Sequence, residues 1–367
     1  MVHLPEDIVK LLFDEFGAAG GTVTVGQCGL VCKSWLPLSR ARVFNTVALN
    51  EDNAKSFFDV VKTSSSRIRR LVRNVRLEIA DGDSFFNPEN LKHLGSFPKA
   101  RTLYVETDGE WIPTLATAYF PKNFPRVSRL RLVVSTAISM YDILSAVTPL
   151  QTLKVLSIDA DEFNFMNSEM PEIYRIPPGL QHLGLDMEMA ENFLEILFEL
   201  AEDADAEDPH RFKMPLFPSL GIRDGWPQGR SFFGRYLYTF GEQMRALWFD
   251  PTRENTYNEP EALSFCTGLQ FIKLRFEPRV NVADTLLEIV PHLQSPALAT
   301  IMLTGVGLRT LSRGQDKWQI LDRAFSEERF VGLRRLQFHF DGGDEESAAG
   351  VEKLKEILPL CAARGIL

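Results

Sequence analysis

The sequence predicts an α/β fold: a short all-helical N-terminal part, then an irregular solenoid of about ten repeats, each a parallel strand followed by a helix. Two observations predict it. A six-residue pattern, apolar at its first, fourth and sixth positions, returns ten times between residues 72 and 338. The segments between its copies carry helical periodicity, and residues 1–49 read as helices around a glycine-rich loop.

The first helix is "LPEDIVKLLFDEF". Pro5 followed by Glu6 and Asp7 is the chemistry of a helix N-terminus, where a missing N–H costs nothing and negative charge is favoured. Val9, Phe13 and Phe16 fall on one side, and Ile8, Leu11 and Leu12 cover much of the other. A short helix apolar on both sides needs two coverings, its own domain's core and a second surface; the alternative is an ordinary internal helix. The next stretch, "GAAGGTVTVG", reads as a flexible loop. It lacks the Gly-Lys-Ser/Thr ending of a phosphate-binding loop, so no cation is supplied for a β-phosphate.

In "CGLVCKSW", Cys28, Val31, Cys32 and Trp35 stand at i, i+3, i+4 and i+7, an apolar helical stripe with both thiols inside it. Zinc would need two further ligands, and the six histidines are scattered at 3, 93, 182, 210, 292 and 339. A C-x-x-C redox motif is absent. The expectation is therefore no metal, with the thiols acting as small buried hydrophobes.

These residues carry a resemblance. Leu4-Pro5 followed by Ile8, then Val31-Cys32-Lys33-Ser34-Trp35, then Phe44, Val47 and Leu49 after a third helix resemble an F-box, most closely that of mushroom-class fungal proteins. "FFDVVKTSSSRIRRLVRNVRLE" and the terminal "ILPLCAARGIL" are similar to the same group, whereas the glycine-rich loop departs from its short polar turn. The resemblance implies docking on the Skp-type adaptor of a cullin–RING (SCF-type) ubiquitin ligase through Leu4, Pro5, Ile8, Val31, Cys32 and Trp35, or burial of some of these in the domain's own core. A segment of this size buries too little to stand firmly alone and gains from a partner. It sets the boundaries: an F-box domain at 1–49, a connecting helix or linker at 50–66, and a solenoid at 67–367.

The repeat windows are "VRNVRL", "ARTLYV", "VSRLRL", "LKVLSI", "LQHLGL", "FPSLGI", "MRALWF", "LQFIKL", "LATIML" and "LRRLQF". Their starts are separated by 28, 27, 26, 27, 37, 27, 25, 29 and 35 residues, and the near-constant period carries the inference. Helical periodicity is clearest in "AENFLEILFELAEDAD" and is present in "ISMYDILSAV", "VADTLLEIVPHL" and "DKWQILDRAF". This reads as a leucine-rich-repeat-like solenoid; a doubly wound α/β domain is the structural competitor. The two long intervals place loops near 202–216 and 308–316. None of the positions after the strands holds the consensus Asn or Cys, so an irregular solenoid is expected. Residues 348–363 form a helix that covers the last repeat, bent or ended by Pro359.

Chemistry is largely excluded. No catalytic constellation, G-x-S-x-G elbow or cofactor motif is present, and "TGVGLRT" has Thr where a dinucleotide loop wants its third Gly. With 49 acids against 40 bases, the chain is a poor nucleic-acid binder. The N-terminus lacks the basic and apolar regions of a secretory signal, and the uncharged stretch 17–32 carries five glycines, which argues against a membrane span. Four cysteines at 28, 32, 266 and 361 make no disulfide framework, so the expected setting is cytoplasmic or nuclear. The outward strand positions Arg76, Tyr104, Arg129, Arg131, His182, Trp248, Phe271, Lys273 and Arg335 would line a concave face about 40 Å long. Of these, Tyr104, Arg129, Arg131, His182, Trp248 and Phe271 are the candidate target-binding residues. Arg67, Arg69, Arg70, Arg73 and Arg76 could form an anion patch or a solvated helix face. The expected function is a non-catalytic substrate receptor of a ubiquitin ligase holding an unknown target protein; the alternative is an adaptor-independent binding scaffold.

Overall fold

The computed structural model describes residues 9, 11, 22–63, 68–79, 96–107, 119–164, 175–188, 190–203, 213–223, 231–251, 260–277, 280–312, 314–340 and 344–367. The chain divides into two compact units, Met1–Ala160 with Met166–Leu180, and Asp161–Phe165 with Gln181–Leu367.

The first unit begins with helices α1 (Thr22–Cys28) and α2 (Trp35–Val43), then strand β1 (Thr46–Leu49) and helix α3 (Glu51–Thr63). Strands β2 (Asn74–Glu78), β3 (Thr102–Thr107) and β4 (Arg129–Ser139) follow, with α4 (Phe120–Asn123) before β4 and α5 (Met140–Val147) after it. Strand β5 (Val155–Asn164) closes the series, with its residues up to Ala160 in this unit and the rest counted with the second. β1 pairs with β2, β2 with β3 and β3 with β4, all parallel.

The second unit runs β6 (His182–Glu188), α6 (Glu191–Asp203), β7 (Ser219–Ile222), α7 (Phe232–Phe240), β8 (Ala246–Phe249) and β9 (Phe271–Arg275). It continues with α8 (Val282–Ile289), β10 (Thr300–Val306), α9 (Leu308–Leu311), α10 (Gln315–Phe325), β11 (Arg335–Phe340), α11 (Asp344–Ile357) and α12 (Pro359–Ala363). The pairings from β6 to β9 and from β9 to β11 are again parallel and in chain order. The fold is α/β, with parallel strands alternating with helical segments in each unit.

Each of the ten expected windows becomes a strand, and each strand begins two residues after its window does. The offset has a physical cause. The first apolar residue of a window packs inward at the turn before the strand: Val72, Ala100, Val127 and Leu153 in one unit, Phe217, Met244, Leu269, Leu298 and Leu333 in the other, are all buried. The second residue already bonds to its counterpart one repeat earlier. Arg101 N–H donates to Arg73 O at 2.7 Å and Ser128 N–H to Arg101 O at 2.9 Å. Gln270 N–H to Arg245 O and Ala299 N–H to Gln270 O repeat this at 2.8 and 2.9 Å. The fourth and sixth window residues, such as Leu103 and Val105 or Ile272 and Leu274, form the buried face of the sheet. Burial of each such side chain contributes about 1.5–3 kcal/mol.

Three N-terminal expectations are corrected. Residues 46–49 form β1, so the helical reading of 1–49 fails at its end: "FNTVAL" carries the same apolar spacing as the later windows and enters the same parallel ladder. The supposed loop "GAAGGTVTVG" is helical from Thr22, because Val25 and Cys28 gain a covering in the cluster formed by Val9, Trp35, Leu38 and Val43. The stripe from Cys28 to Trp35 is not one helix. It turns between α1 and α2, which leaves Val31 68% exposed and Cys32 half-exposed, while Cys28 and Trp35 pack against Val9 and Val25. The buried Ser39 hydroxyl ties the two helices by donating to Val25 O at 2.6 Å.

The loop expected at 308–316 holds the short helix α9 and the start of α10. Gly305, in "TGVGLRT", has φ +74°, and a Cβ there would lie 1.9 Å from Phe276 O. The glycine is thus a turn requirement at the β10 irregularity. At the C-terminus the expected helix is interrupted at Leu358, since Pro359 cannot continue the ladder and instead opens α12.

Candidate functional site

All-parallel sheets are usually covered on both faces. Here the outward residues of the strands stay exposed or half-exposed, alternating with buried ones. That open face is the candidate site, and it has a different character in each unit.

In the first unit the register places Arg76, Tyr104 and Arg131 side by side on β2, β3 and β4. The Tyr104 ring lies between two guanidiniums, with Arg76 Cζ 4.5 Å and Arg131 Cζ 5.7 Å from its centroid. Every charge in this row is matched. Arg76 meets Glu78 at 2.6 Å and Glu106 at 2.9 Å, and Arg131 meets Asp159 at 3.1 Å. Tyr104 O–H donates to Glu106 Oε2 at 3.1 Å. Burial, then the hydrogen bond to Glu106, raises the Tyr104 pKa, and the Glu106 hydrogen bond raises that of Arg76. Arg129 is exposed beside this cluster. Arg67 of the supposed anion patch lies outside the described residues, and the pairing of Arg76 removes one of its cations.

In the second unit two adjacent rows cross the sheet. The first holds His182, Ser219, Ala246, Phe271, Thr300 and Arg335; the second holds Gly184, Gly221, Trp248, Lys273, Met302 and Gln337. Neither row contains a carboxylate. His182 Nδ1 and Ser219 Oγ are 2.6 Å apart, and burial lowers the His182 pKa. The Trp248 indole lies across β7: a Cβ on Gly221 would sit 2.6 Å from Trp248 Cε3, so only glycine gives it room. Lys273 Nζ stands 5.7 Å from the Trp248 ring centroid. Along the strands beyond these rows, Arg223 and Arg275 share one carboxylate, Asp186, at 3.8 and 3.4 Å.

The structure thus separates the six expected target-binding residues. Tyr104 and Arg131 lie in the charge-matched row of the first unit with Arg129 exposed beside it, and His182, Trp248 and Phe271 lie on the acid-free rows of the second. The Asp186–Arg275 pairing was not legible, because its partners are 89 residues apart and meet only through the ladder.

At the N-terminus, Leu4, Pro5 and Ile8 lie outside the described residues. Val9 is buried while Leu11 is 60% exposed. Leu30, at 84%, and Val31 stand out from the turn between α1 and α2. Cys32 Sγ lies 3.1 Å from Ser34 Oγ, which lowers its pKa. Among the described residues no group of His, Cys, Asp and Glu could hold a metal ion, and no helix is long and apolar enough to cross a membrane. No family model matches the chain, and no curated protein matches it.

Proposed function

We propose that this chain is the substrate-recognition subunit of a cullin–RING (SCF-type) ubiquitin ligase, cytoplasmic or nuclear, with no catalytic chemistry of its own. In this reading the F-box-like segment docks on a Skp-type adaptor and the open sheet face holds the target protein. One observation carries it: the "LVCKSW" segment, which supplies the resemblance, exposes Leu30 and Val31 at a helix turn beside the small Val9–Val25 cluster. Large apolar side chains at such exposure, next to a cluster of few residues, are the anatomy of a surface completed by a partner. Copurification of the full-length chain with a Skp-type adaptor tests the reading. Val31→Asp should abolish that copurification without changing the melting temperature. Undiminished adaptor recovery by Val31→Asp refutes the assigned docking surface.

A second reading has its own support. β1 ties the N-terminal helices directly into the parallel ladder through its pairing with β2, as expected if they simply cap the first repeat. The chain is then an adaptor-independent binding scaffold, and absence of adaptor in the copurification selects it.

A further inference from the structure

We infer that the open face of the second unit is a docking site for an acidic peptide segment bearing an aromatic side chain. The inference rests on the target-holding half of the proposed function and is independent of its adaptor half. It is argued from the contrast between the two faces. In the first unit Arg76 and Arg131 are neutralised by Glu78, Glu106 and Asp159, so a ligand carboxylate would have to displace an existing pair. In the second unit Lys273 and Arg335 have no carboxylate partner among the described residues, and their rows contain no acid. Arg223 and Arg275 add two guanidiniums held by the single carboxylate of Asp186. A chain of net charge −9 therefore presents a local excess of cations on one half-exposed surface.

The apolar component lies in the same rows. Trp248, Phe271 and Met302 are half-exposed there, and Gly184 and Gly221 leave the β6 and β7 positions beside the indole without side chains. Neighbouring strands are about 4.8 Å apart and alternate residues about 7 Å apart along a strand. An aromatic ring placed on Trp248 or Phe271 is therefore within one strand of Lys273. Flanking carboxylates then fall within reach of Lys273, Arg335 and Arg275. Lys273, half-exposed, and the exposed Arg275 and Arg335 beside an aromatic platform favour carboxylates next to a ring, and disfavour basic segments by like-charge repulsion. Glu188 and Glu277, toward the C-terminal ends of β6 and β9, bound the basic zone with negative charge and fix which rows the ligand occupies.

The test uses the purified full-length chain without adaptor. Binding is measured by fluorescence polarisation with three labelled probes: a Glu/Asp-rich peptide with one central Trp, the same peptide with Trp replaced by Ala, and its charge-reversed Lys form. A mixed-sequence single-stranded oligonucleotide is the fourth. The expected result is saturable, salt-sensitive binding of the first probe, weakened by roughly tenfold or more by Lys273→Glu with Arg335→Glu. Replacing the probe's Trp should also weaken it, and Arg129→Glu, on the other unit, should leave it unchanged. Circular dichroism and a melt of each variant establish that the fold is retained. Equal affinity for the Lys form, stronger binding of the oligonucleotide, an equal loss with Arg129→Glu, or no saturable binding each overturns the inference. None of these outcomes bears on adaptor copurification, so failure of the peptide site and failure of the ligase reading are distinguishable.

Discussion

Replacing Asp322 should loosen the C-terminal end of the second unit. Helix α12 starts at Pro359, and Leu358, in its N-cap position, has no side-chain acceptor for the first-turn donors. Asp322, buried on α10, supplies it instead: Leu360 N–H and Cys361 N–H each donate to its carboxylate at 2.9 Å. Pro359 has no N–H to satisfy, and Ala362 N–H returns to Leu358 O at 3.0 Å, so the accounting of this helix start is complete. Arg364, one residue past α12, donates to Phe325 O, and to Phe330 O at 2.9 Å. Asp322→Ala leaves one buried N–H group, of Cys361, and one part-buried one, of Leu360, without an acceptor. At about 1–3 kcal/mol per stranded buried donor, partly relieved by water, the loss is about 2–4 kcal/mol. For a unit of this size that lowers the melting temperature by roughly 5–12 °C. Asp322→Asn keeps one acceptor oxygen and should lose about half as much. Differential scanning fluorimetry of the three proteins is the assay. An Asp322→Ala protein that melts within a degree of the wild type would refute the assigned cap.

Other expectations are shorter to state. Gly305→Ala combines a left-handed backbone with a contact on Phe276 O, and should destabilise by at least about 1–3 kcal/mol in urea titrations; an unchanged midpoint contradicts the geometry. Burial pushes the thiols of Cys266 and Cys361 up to about 12, whereas the Ser34 hydrogen bond lowers that of Cys32, so iodoacetamide at pH 8 should label Cys32 long before the other two, as read by mass spectrometry. The same two thiols make stability pH-dependent. The unfolded chain releases their protons near the ordinary value of 9.0 and the folded chain only near 12, so stability is full below pH 9 and falls toward pH 12. A flat melting temperature across that window would argue against it. Deleting residues 344–367 removes the Ile366 carbonyl that accepts Leu336 N–H at 2.6 Å on edge strand β11, and light scattering should report aggregation.

The strands were legible because apolar spacing and near-constant period reinforce one another: Leu103 and Val105 on β3 say little alone, yet ten such pairs at similar intervals allow few other folds. β1 was hidden in plain view, since "FNTVAL" obeys the rule but its Phe44, Val47 and Leu49 were claimed by the F-box resemblance, after a third helix, and not by the repeat. Thr22–Cys28 was missed for the opposite reason: Gly26 disfavours a helix locally, and tertiary covering of Val25 overrides it. Strand parity placed Tyr104 and Trp248 on the outer face, but it could not reveal that one is enclosed by matched charges and the other is not. That distinction depends on which carboxylates the register brings alongside, and Glu106, Asp159 and Asp186 are ordinary surface acids until the strands are aligned.

The alternation along each strand gives the molecule two alphabets written on one line. Inward letters such as Ile272 and Leu274 are bound by packing, and changing one costs kilocalories. The outward letters between and beside them, Phe271, Lys273 and Arg275, are half-exposed or exposed and make only surface contacts, and most changes there fall within about half a kilocalorie. A single nucleotide-scale change can therefore reword the surface without misspelling the core. Inserting one residue inside a strand exchanges the two alphabets at once. Variation in such a chain is free to run through substitution on the outer letters and through length at the turns between repeats, while the strands keep their count.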